Sequence, residues 1–538
     1  MSATLSPPKL VLLAAHLTSR ADIDSLSFLV SRHGAILRKD LVLRILLTYL
    51  PETVHSHAYV PFLQELASGD FADYDPINID DATVADLSEK EAIRKVRKLH
   101  LLPLTWNDGL VDLKDDTLAH FLLLRAHRMD EEAGFLSQVP DLLVPFVHNV
   151  PSLRAWMISV LLPLLRRNYH YYPRSCTAHT LKEFRALSDS AAVALLLSET
   201  GAKDEDLHLV GRDMRGLIGP WLHDQKRWKQ ETTTGLAAAQ AEALLCPAFE
   251  VVLDWLTTQA SKNWKLALQV IEQWDGPMDI DLGDYGDSWW TAEQRNSLQR
   301  RYIRAALASA YLIPDSTPEA LRGAHQILSR VAVLLHLDPP PPLQSTESLS
   351  LAASQYGRDD LVSARAASYM RSRHLEHSNP LTNPDQRSVR LLGALITSSF
   401  ILSKAGISCS IRRAGDLLFL RDVRDQKSEA SKFIHAIASR GPKGDDTYWV
   451  HVRRDLLWLW SWEPCESLST LKRTGNGIFG AVDRQFIETE LLREILTATR
   501  TFGTNCVFML RATDFPLQAT TSRVPSMKTT RRCLTPQS

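Results

Sequence analysis

The stretch "DLVLRILLTYLP", Asp40–Pro51, is apolar on nearly every side of the helix that it predicts. Only Arg44 and Thr48 interrupt the apolar residues, and Pro51 stops the helix because a proline cannot continue its hydrogen bonds. A helix that is apolar all round is covered by neighbours on more than one side. The stretch therefore predicts an inner helix of a stack.

Helical spacing also governs the residues around this stretch. Before it, one face of a first helix is marked at i, i+3, i+4 and i+7 by Leu10, Leu13, Ala14 and Leu17. A second helix follows at once, so three short helices with brief connections favour an antiparallel stack. Further helices are predicted at Leu118–Arg128, Pro151–Arg166, Ala191–Glu199, Ala237–Thr257, Lys262–Gln273, Gln294–Leu312, Pro318–Leu337, Leu361–Arg373, Ser388–Lys404 and Phe486–Ala498.

Strand signals are confined to two short stretches, Ile407–Ile411 and Cys506–Leu510. Without alternation of strands and helices, doubly wound sheets and α/β barrels are poor fits. A long run of short helices with no strict repeat is typical of a diverged solenoid. We expect an all-α fold, an elongated α-solenoid of irregular antiparallel helix pairs; an irregular globular helical protein would show the same periodicity.

Six segments are predicted along the chain. Residues 1–69 form an N-terminal helical block, 70–92 an acidic loop, and 93–336 the middle part of the solenoid, which opens with a basic helix through Arg94, Lys95, Arg97 and Lys98. The stretch "LDPPPPLQSTES" makes 337–348 a Pro-rich linker, because four consecutive prolines cannot be helical. Residues 349–500 form the C-terminal part of the solenoid, and the Ser/Thr-rich, basic tail 501–538 is expected to be disordered.

Composition restricts the classes of function. The 538 residues, 45% hydrophobic and 23% charged, are those of a folded protein too large for one core. A formal net charge of −1 argues against a surface devoted to nucleic acid or anionic lipid. The six cysteines are scattered without zinc spacing, and no asparagine lies in a glycosylation context, which favours reduced thiols and the cytosol. No uncharged run reaches the ~20 residues that cross a bilayer, so membrane association is expected to be peripheral.

The stretch "WDGPMDIDLGDYGDSWW", Trp274–Trp290, contains five aspartates and raises the question of a metal site. As a calcium loop starting at Asp279 it has Gly283 where an oxygen ligand is needed, Asp284 where glycine is needed, and Trp290 at the twelfth position. A hydrated connection between two helices fits better, with the capping box "TAEQ" starting the next helix. A metal-dependent enzyme that uses the Asp279–Asp287 loop is kept as an alternative.

Three other patterns have a structural and a functional interpretation. "GNGIFG" at Gly475–Gly480 matches the dinucleotide fingerprint, but it follows no strand and favours a tight corner between helices. His374 and His377 share a helix face without a third metal ligand, which indicates a solvated helix end. The alternating tryptophans of "LLWLWSW", Leu456–Trp462, favour core over a ligand platform. We therefore expect no enzyme activity, catalytic residue, metal or cofactor.

Four motifs in order resemble the fungal branch of the secretory pathway protein 39 domain family. They are the N-terminal block "KLVLLAAHLTSRADIDSLSFLVSRHGAILRKDLVLRILLTYLPETV", "RDMRGLIGPWL" at Arg212–Leu222, "EQWDGPMDIDLGDYGD" at Glu272–Asp287, and "GNGIFGAVDRQFIETELLREIL" at Gly475–Leu496. The animal relative of this family is the neuroblastoma-amplified sequence protein. The resemblance covers most of Lys9–Ala498, and after Ala498 the family pattern is expected to stop, with an end unlike the relatives.

The resemblance implies an all-helical scaffold in the Dsl tethering complex on the cytoplasmic face of the endoplasmic reticulum (ER). Such a subunit binds an ER SNARE and another subunit of the complex, which captures COPI vesicles returning from the Golgi. The family offers no catalytic residues to transfer. Corner-forming roles are assigned to the motif residues Gly219, Pro220, Trp221, Trp274, Gly276, Pro277, Gly475, Gly477 and Gly480. A coat or nuclear-pore scaffold is the alternative with the same composition.

Overall fold

A computed structural model describes residues 5–71, 82–106, 116–174, 177–224, 227–228, 247–285, 290–343, 379–441, 446–462 and 474–498. Within these ranges the regular secondary structure is helical throughout. The helices of the first half are α1 (Pro7–Ser19), α2 (Ile23–His33), α3 (Lys39–Tyr49), α4 (Val60–Ser68), α5 (Ala82–Ala85), α6 (Glu89–Val96), α7 (Thr117–Ala133), α8 (Val139–Val147), α9 (Pro151–Trp156), α10 (Leu162–Leu165), α11 (Leu181–Arg185), α12 (Asp189–Leu196), α13 (Val210–Asp213) and α14 (Gly219–Leu222).

The helices of the second half are longer on average. They are α15 (Pro247–Lys262), α16 (Trp264–Gln273), α17 (Ala292–Leu312), α18 (Pro318–Leu334), α19 (Gln386–Lys404), α20 (Ile411–Leu420), α21 (Val423–Arg440), α22 (Asp446–Ser461) and α23 (Arg484–Ala498).

Wider π turns extend two of the helical rods. The π segment Met157–Leu161 joins α9 to α10, and a second, Arg166–Tyr171, continues the same rod. A third, Met214–Ile218, joins α13 to α14. The helix predicted at Pro151–Arg166 therefore runs on to Tyr171.

Successive helices pack on one another along the chain. Helix α1 packs on α2 and α3, α3 on α7, and α7 on α8 and α11. Farther on, α15 packs on α16 and α17, and α18 packs on α16, α17 and α19. The buried apolar side chains form one continuous hydrophobic cluster, and in sequence its members run from Leu10 to Ile495. A core shared between consecutive helices is the packing of a solenoid, and the predicted all-α solenoid is confirmed.

Side-chain caps explain where several of these helices begin. Asp22, Asp116 and Thr317 each accept a hydrogen bond from a backbone N–H of the first turn of α2, α7 and α18. The predicted capping box of α17 is present, because Thr291 and Gln294 exchange side-chain bonds with each other's backbone N–H. The starts of these helices are therefore determined by capping residues that are adjacent to them in sequence.

Two predicted segments differ from the structure for the same reason. The expected acidic loop 70–92 contains α5 and the start of α6 in its described part, because Ser88 and Glu91 form a capping box. The possible strand Ile407–Ile411 is a connection that ends in α20, because the Ser410 hydroxyl accepts the Arg413 N–H and starts a helix. In both places a short polar cap outweighs the local composition.

Other boundaries shift or lie outside the described residues. The helix predicted at Pro318–Leu337 ends at Leu334, ahead of the prolines. The described part of the Ala237–Thr257 prediction begins at Pro247, and that helix continues to Lys262. Leu361–Arg373, Cys506–Leu510, His374, His377 and the tail 501–538 lie outside the described residues. Across the described ranges, every helix lacks the combined length and apolar character that crossing a bilayer requires.

Shortening one inner side chain tests the shared core. Leu46 in α3 is fully buried, and Leu46→Ala is expected to lower the free energy of unfolding by about 2–5 kcal/mol, since it leaves a cavity. Hydrogen exchange should locate the loss in α3 and its neighbours α1 and α7. Leu496→Ala is the matched control, since Leu496 is 50% exposed and should cost less than ~0.5 kcal/mol. Equal losses in the two variants would contradict the assignment of α3 to the interior.

Candidate functional site

The Asp-rich stretch between α16 and α17 is anchored at its first residue, Trp274. Trp274 is fully buried, and its indole Nε1 donates to the Asp279 carbonyl at 3.1 Å. Its own carbonyl accepts the Tyr302 hydroxyl of α17 at 2.7 Å, and the two rings meet edge to face at 5.0 Å. The connection therefore folds around one tryptophan that also anchors the next helix.

Gly276 lets this turn approach α17 closely. Its φ of +98° lies in the left-handed region, and an added Cβ would stand 2.7 Å from Tyr302 Cδ1. Trp274, Gly276 and Pro277 lie together in this turn, at the place for which a corner is predicted.

Two arginines from earlier helices hold the middle of the connection. Arg215 Nη1 lies 3.0 Å from Asp279 Oδ2 and donates to the Gln273 carbonyl at 2.6 Å. Arg166 is nearly buried; its Nη2 lies 2.9 Å from Asp281 Oδ1, and its Nη1 donates to the Asp281 carbonyl at 2.7 Å. The aspartates thus fasten the connection to the stack by ion pairs.

Pro220 explains why these partners are available. It has no amide hydrogen, so it donates neither to the Arg215 carbonyl five residues earlier, as in a π turn, nor to the Gly216 carbonyl four residues earlier, as in an α turn. The Arg215 carbonyl accepts the Asp281 N–H at 3.0 Å, and the Gly216 carbonyl accepts Arg166 Nη1 at 2.9 Å. The helix and the connection complete each other's backbone hydrogen bonds.

The corner predicted for Gly219, Pro220 and Trp221 is wrong. All three lie inside helix α14, which continues the π segment Met214–Ile218, and Trp221 is fully buried. Gly219 has helical backbone angles and is needed for space, because an added Cβ would lie 2.7 Å from Ile280 Cγ2. The missing side chain of Gly219 leaves the space in which Ile280 of the connection packs against the helix.

The aspartates of the connection do not gather around a common point in the described structure. Asp275, Asp279 and Asp281 pair with different arginines, and Asp287 lies outside the described residues. Across the described ranges, no group of three or more His, Cys, Asp or Glu side chains is placed to hold a metal. The geometry is that of a fastened connection.

"GNGIFG" packs on the C-terminal end of α22. Gly477 N–H donates to the Trp460 carbonyl at 2.8 Å, and Gly475 N–H donates to the Gly480 carbonyl at 2.9 Å. Gly480 N–H donates in turn to the Gly477 carbonyl at 2.9 Å. The amide hydrogens that a pyrophosphate would require are already used, so this loop does not have the geometry of a dinucleotide site. The three glycines lie in a turn between α22 and α23.

The tryptophans of "LLWLWSW" belong to the core. Trp458, Trp460 and Trp462 are at most 2% exposed. Trp460 Nε1 donates to the Val482 carbonyl at 2.8 Å, and Trp462 Nε1 donates to Ser398 Oγ at 3.1 Å. The prediction of core is confirmed, on a helix that ends at Ser461.

A buried polar cluster beside the π segments carries no recognisable sequence signal. The Asp213 carboxylate accepts hydrogen bonds from the Tyr172 hydroxyl, from Thr200 Oγ1 at 3.0 Å and from Arg212. Burial raises the pKa of Asp213, while the bond from Tyr172 and the charge of Arg212 act against that rise. Burial also raises the pKa of Tyr172, and its bond to Asp213 adds to the rise. The cluster links three segments of the stack.

An open depression of about 410 Å³ lies between α7 and α11. Trp106 stacks under Arg185, whose Nη1 lies 3.1 Å from His127 Nε2. Burial, and to a lesser extent Lys182, lowers the pKa of His127 to about 4, so the ring is neutral at pH 7 and accepts that bond. The rim carries Arg185 and the ion pair between Lys182 Nζ and Glu131 Oε1, which lie 3.5 Å apart.

A family model described as secretory pathway protein Sec39 matches residues 11–521. The match covers nearly the whole chain. This protein belongs to the Sec39 family. A comparison with curated proteins found no match to this chain.

Membership of the Sec39 family corrects one boundary. The match continues for 23 residues beyond Ala498, to residue 521, where the family pattern was expected to have stopped. The first part of the tail therefore belongs with the family sequence. The Sec39 match also makes this chain a secretory pathway protein, in agreement with the resemblance of its four motifs.

In this Sec39 family member, replacing Arg166 tests whether its side chain holds the 274–285 connection against the earlier helices. Arg166→Gln should lower the free energy of unfolding by about 2–4 kcal/mol, because the buried Gly216 carbonyl and the part-buried Asp281 carbonyl lose their donor and Asp281 loses its ion pair. Hydrogen exchange of the 274–285 connection should increase. Arg330→Gln is the matched control, because Arg330 pairs with Asp275 of the same connection at a more exposed place, and should cost at most ~1 kcal/mol. A smaller loss of unfolding free energy in the Arg166 variant than in the control would show that Arg166 does not hold this connection.

Gly477→Ala tests the glycine turn. The added Cβ would lie 2.2 Å from the Leu459 carbonyl oxygen, which is backbone, so the turn must separate from α22. We expect a loss of about 2 kcal/mol or more in denaturant unfolding. Gly34→Ala is the control, because Gly34 has helical angles and its Cβ would meet only ordinary contact at 3.6 Å. Wild-type stability of Gly477→Ala would rule out this close packing.

Proposed function

We propose that this chain is a non-enzymatic scaffold subunit of an ER-associated vesicle-tethering complex, acting in Golgi-to-ER retrograde transport of COPI vesicles. The observation that carries the proposal is the Sec39 match over residues 11–521. The helical stack described above supplies the second support, since a solenoid offers long lateral surfaces for other proteins.

The segments that resemble reactive sites support a scaffold. Asp279 and Asp281 are held by arginines, and the amides of Gly475, Gly477 and Gly480 bond to backbone carbonyls. The hydrogen bonds and ion pairs of these groups join helices and connections of the stack to one another. The outer faces of the helices are then the surfaces through which the chain acts.

A tether requires several contacts at once. Linking binding sites on one body raises the effective concentration for each later contact, so no single contact has to be tight. In this proposal one part of the stack binds an ER SNARE and another binds a second subunit of the Dsl complex. The chain is then placed peripherally on the cytoplasmic face of the ER by its protein partners.

Affinity purification of the tagged full chain tests these partners. We expect ER SNAREs and other tethering subunits in the purified fraction, identified by mass spectrometry. Leu46→Asp and Leu491→Asp, both at buried positions, should lose these partners because a buried carboxylate without a counter-charge opens the local helix pair.

The control for this purification is Leu496→Asp at an exposed position of α23, which leaves the core intact. Recovery of coat or nuclear-pore subunits in place of ER SNAREs would overturn the assignment to tethering. Full partner binding by both buried variants would overturn the dependence of assembly on helix packing.

A further inference from the structure

The segment that follows the acidic stretch concentrates positive charge. Residues 89–102, here called the basic segment, comprise α6 and the turn after it. Four cations, Arg94, Lys95, Arg97 and Lys98, fall within five positions, and no acidic residue occurs from 92 to 107. All four side chains are exposed, and none forms an ion pair with another described residue. The net charge of −1 for the chain conceals this local excess.

The basic segment faces outward in a fixed orientation. Ala92 is fully buried where α6 packs on α1, and Val96 lies one turn farther along the same line. At 100° per residue, Lys90, Arg94 and Arg97 occupy the opposite side of the helix. Its two glutamates are confined to the first turn, where they favour the helix start.

The inner helix α3 holds the end of the basic segment. Arg44 donates to the carbonyls of Leu101 and Leu102 at 2.9 and 3.0 Å. Thr48 Oγ1 accepts the Leu102 N–H at 3.0 Å, and the Tyr49 hydroxyl donates to the Leu99 carbonyl at 2.7 Å. Arg44 and Thr48, the interruptions of the apolar stretch Asp40–Pro51, are thus used to display this segment.

Apolar side chains accompany the cations. Ile93 is 38% exposed beside Arg94, and Leu102 is 37% exposed at the far end of the basic segment. The cations are thus accompanied by one exposed apolar side chain on α6 and another in the chain after it. This combination matches the interface of an anionic bilayer, where phosphates face the cations and apolar groups enter the headgroup region. A purely electrostatic protein contact would not require exposed Ile93 and Leu102.

We propose that the basic segment is a membrane-contact surface that binds anionic phospholipids directly. This contact goes beyond the proposed tethering function, because it needs no protein partner. It would orient the N-terminal end of the stack against the bilayer. Neutral bilayers lack the counter-charge and should bind weakly.

Flotation of the purified full chain with synthetic vesicles tests the proposal. We expect binding to phosphatidylcholine vesicles that contain phosphatidylserine, weaker binding at higher salt, and little binding to phosphatidylcholine alone. The variant R94Q/K95Q/R97Q/K98Q should weaken binding by about a hundredfold or more, since each basic residue at a surface contributes roughly fivefold. Glutamine preserves helix propensity, and thermal unfolding verifies that the fold is retained.

The matched control is K203Q/K262Q/R295Q/R300Q, which removes the same charge from four exposed positions elsewhere. It should bind vesicles like the wild type. I93S/L102S keeps the charges and should show weaker binding that is more sensitive to salt. No phosphatidylserine-dependent binding by the wild type would overturn the proposal, as would equal losses in the control and the R94Q/K95Q/R97Q/K98Q variant.

A further outcome identifies a different occupant. If the R94Q/K95Q/R97Q/K98Q variant binds vesicles normally but loses the proteins recovered in affinity purification, the basic segment binds an acidic protein, and the lipid proposal is wrong. Purified chain and synthetic vesicles contain no partner protein, so the vesicle result stands apart from the success or failure of the tethering assignment.

Discussion

The pairing of Arg166 with backbone carbonyls is the interaction on which the centre of this stack depends. Pro220 lies inside a packed helix and donates no helical hydrogen bond to the carbonyls of the preceding turn, at a place where water cannot easily replace it. Arg166 and the amide of Asp281 satisfy those acceptors, and in doing so they bring the connection from α16 against the earlier helices. The position of α17, and of the helices that pack on it, follows from this contact.

Much of the helical architecture could be predicted because it is local. The spacing of apolar residues locates α1, α3, α17 and α19 to within a few residues, and the Thr291 capping box gives the start of α17. The π segments could not be predicted, because nearly every residue of these rods is buried and the apolar pattern therefore does not show the extra residue in a turn. A basic helix through Arg94 was predicted, but the start of α6 was placed too late, because the acidic composition before it obscured the cap at Ser88.

The candidate site was predictable only in part, since its bonds join residues far apart in the chain. The misfit to a calcium template correctly indicated that "WDGPMDIDLGDYGDSWW" is a connection, and the missing strand argued against a dinucleotide site at Gly475–Gly480. Pro220 suggested a corner because an isolated helix breaks at proline. Arg166, 54 residues earlier, donates to the Gly216 carbonyl, to which Pro220 cannot donate, and the sequence near Pro220 does not indicate this partner. Asp213 likewise depends on partners at Tyr172 and Thr200.

The π segment Met214–Ile218 places a limit on chain length. A bond from residue i to i+5 accommodates one extra residue in a turn, which rotates everything after it by about 100° relative to a regular α-helix. Trp221 and Leu222, both fully buried, lie beyond this extra residue. Deleting a single residue between Val210 and Gly219 would rotate both side chains out of their present packing even if every remaining side chain were kept. Insertions and deletions among relatives should therefore collect in the connections and spare this rod.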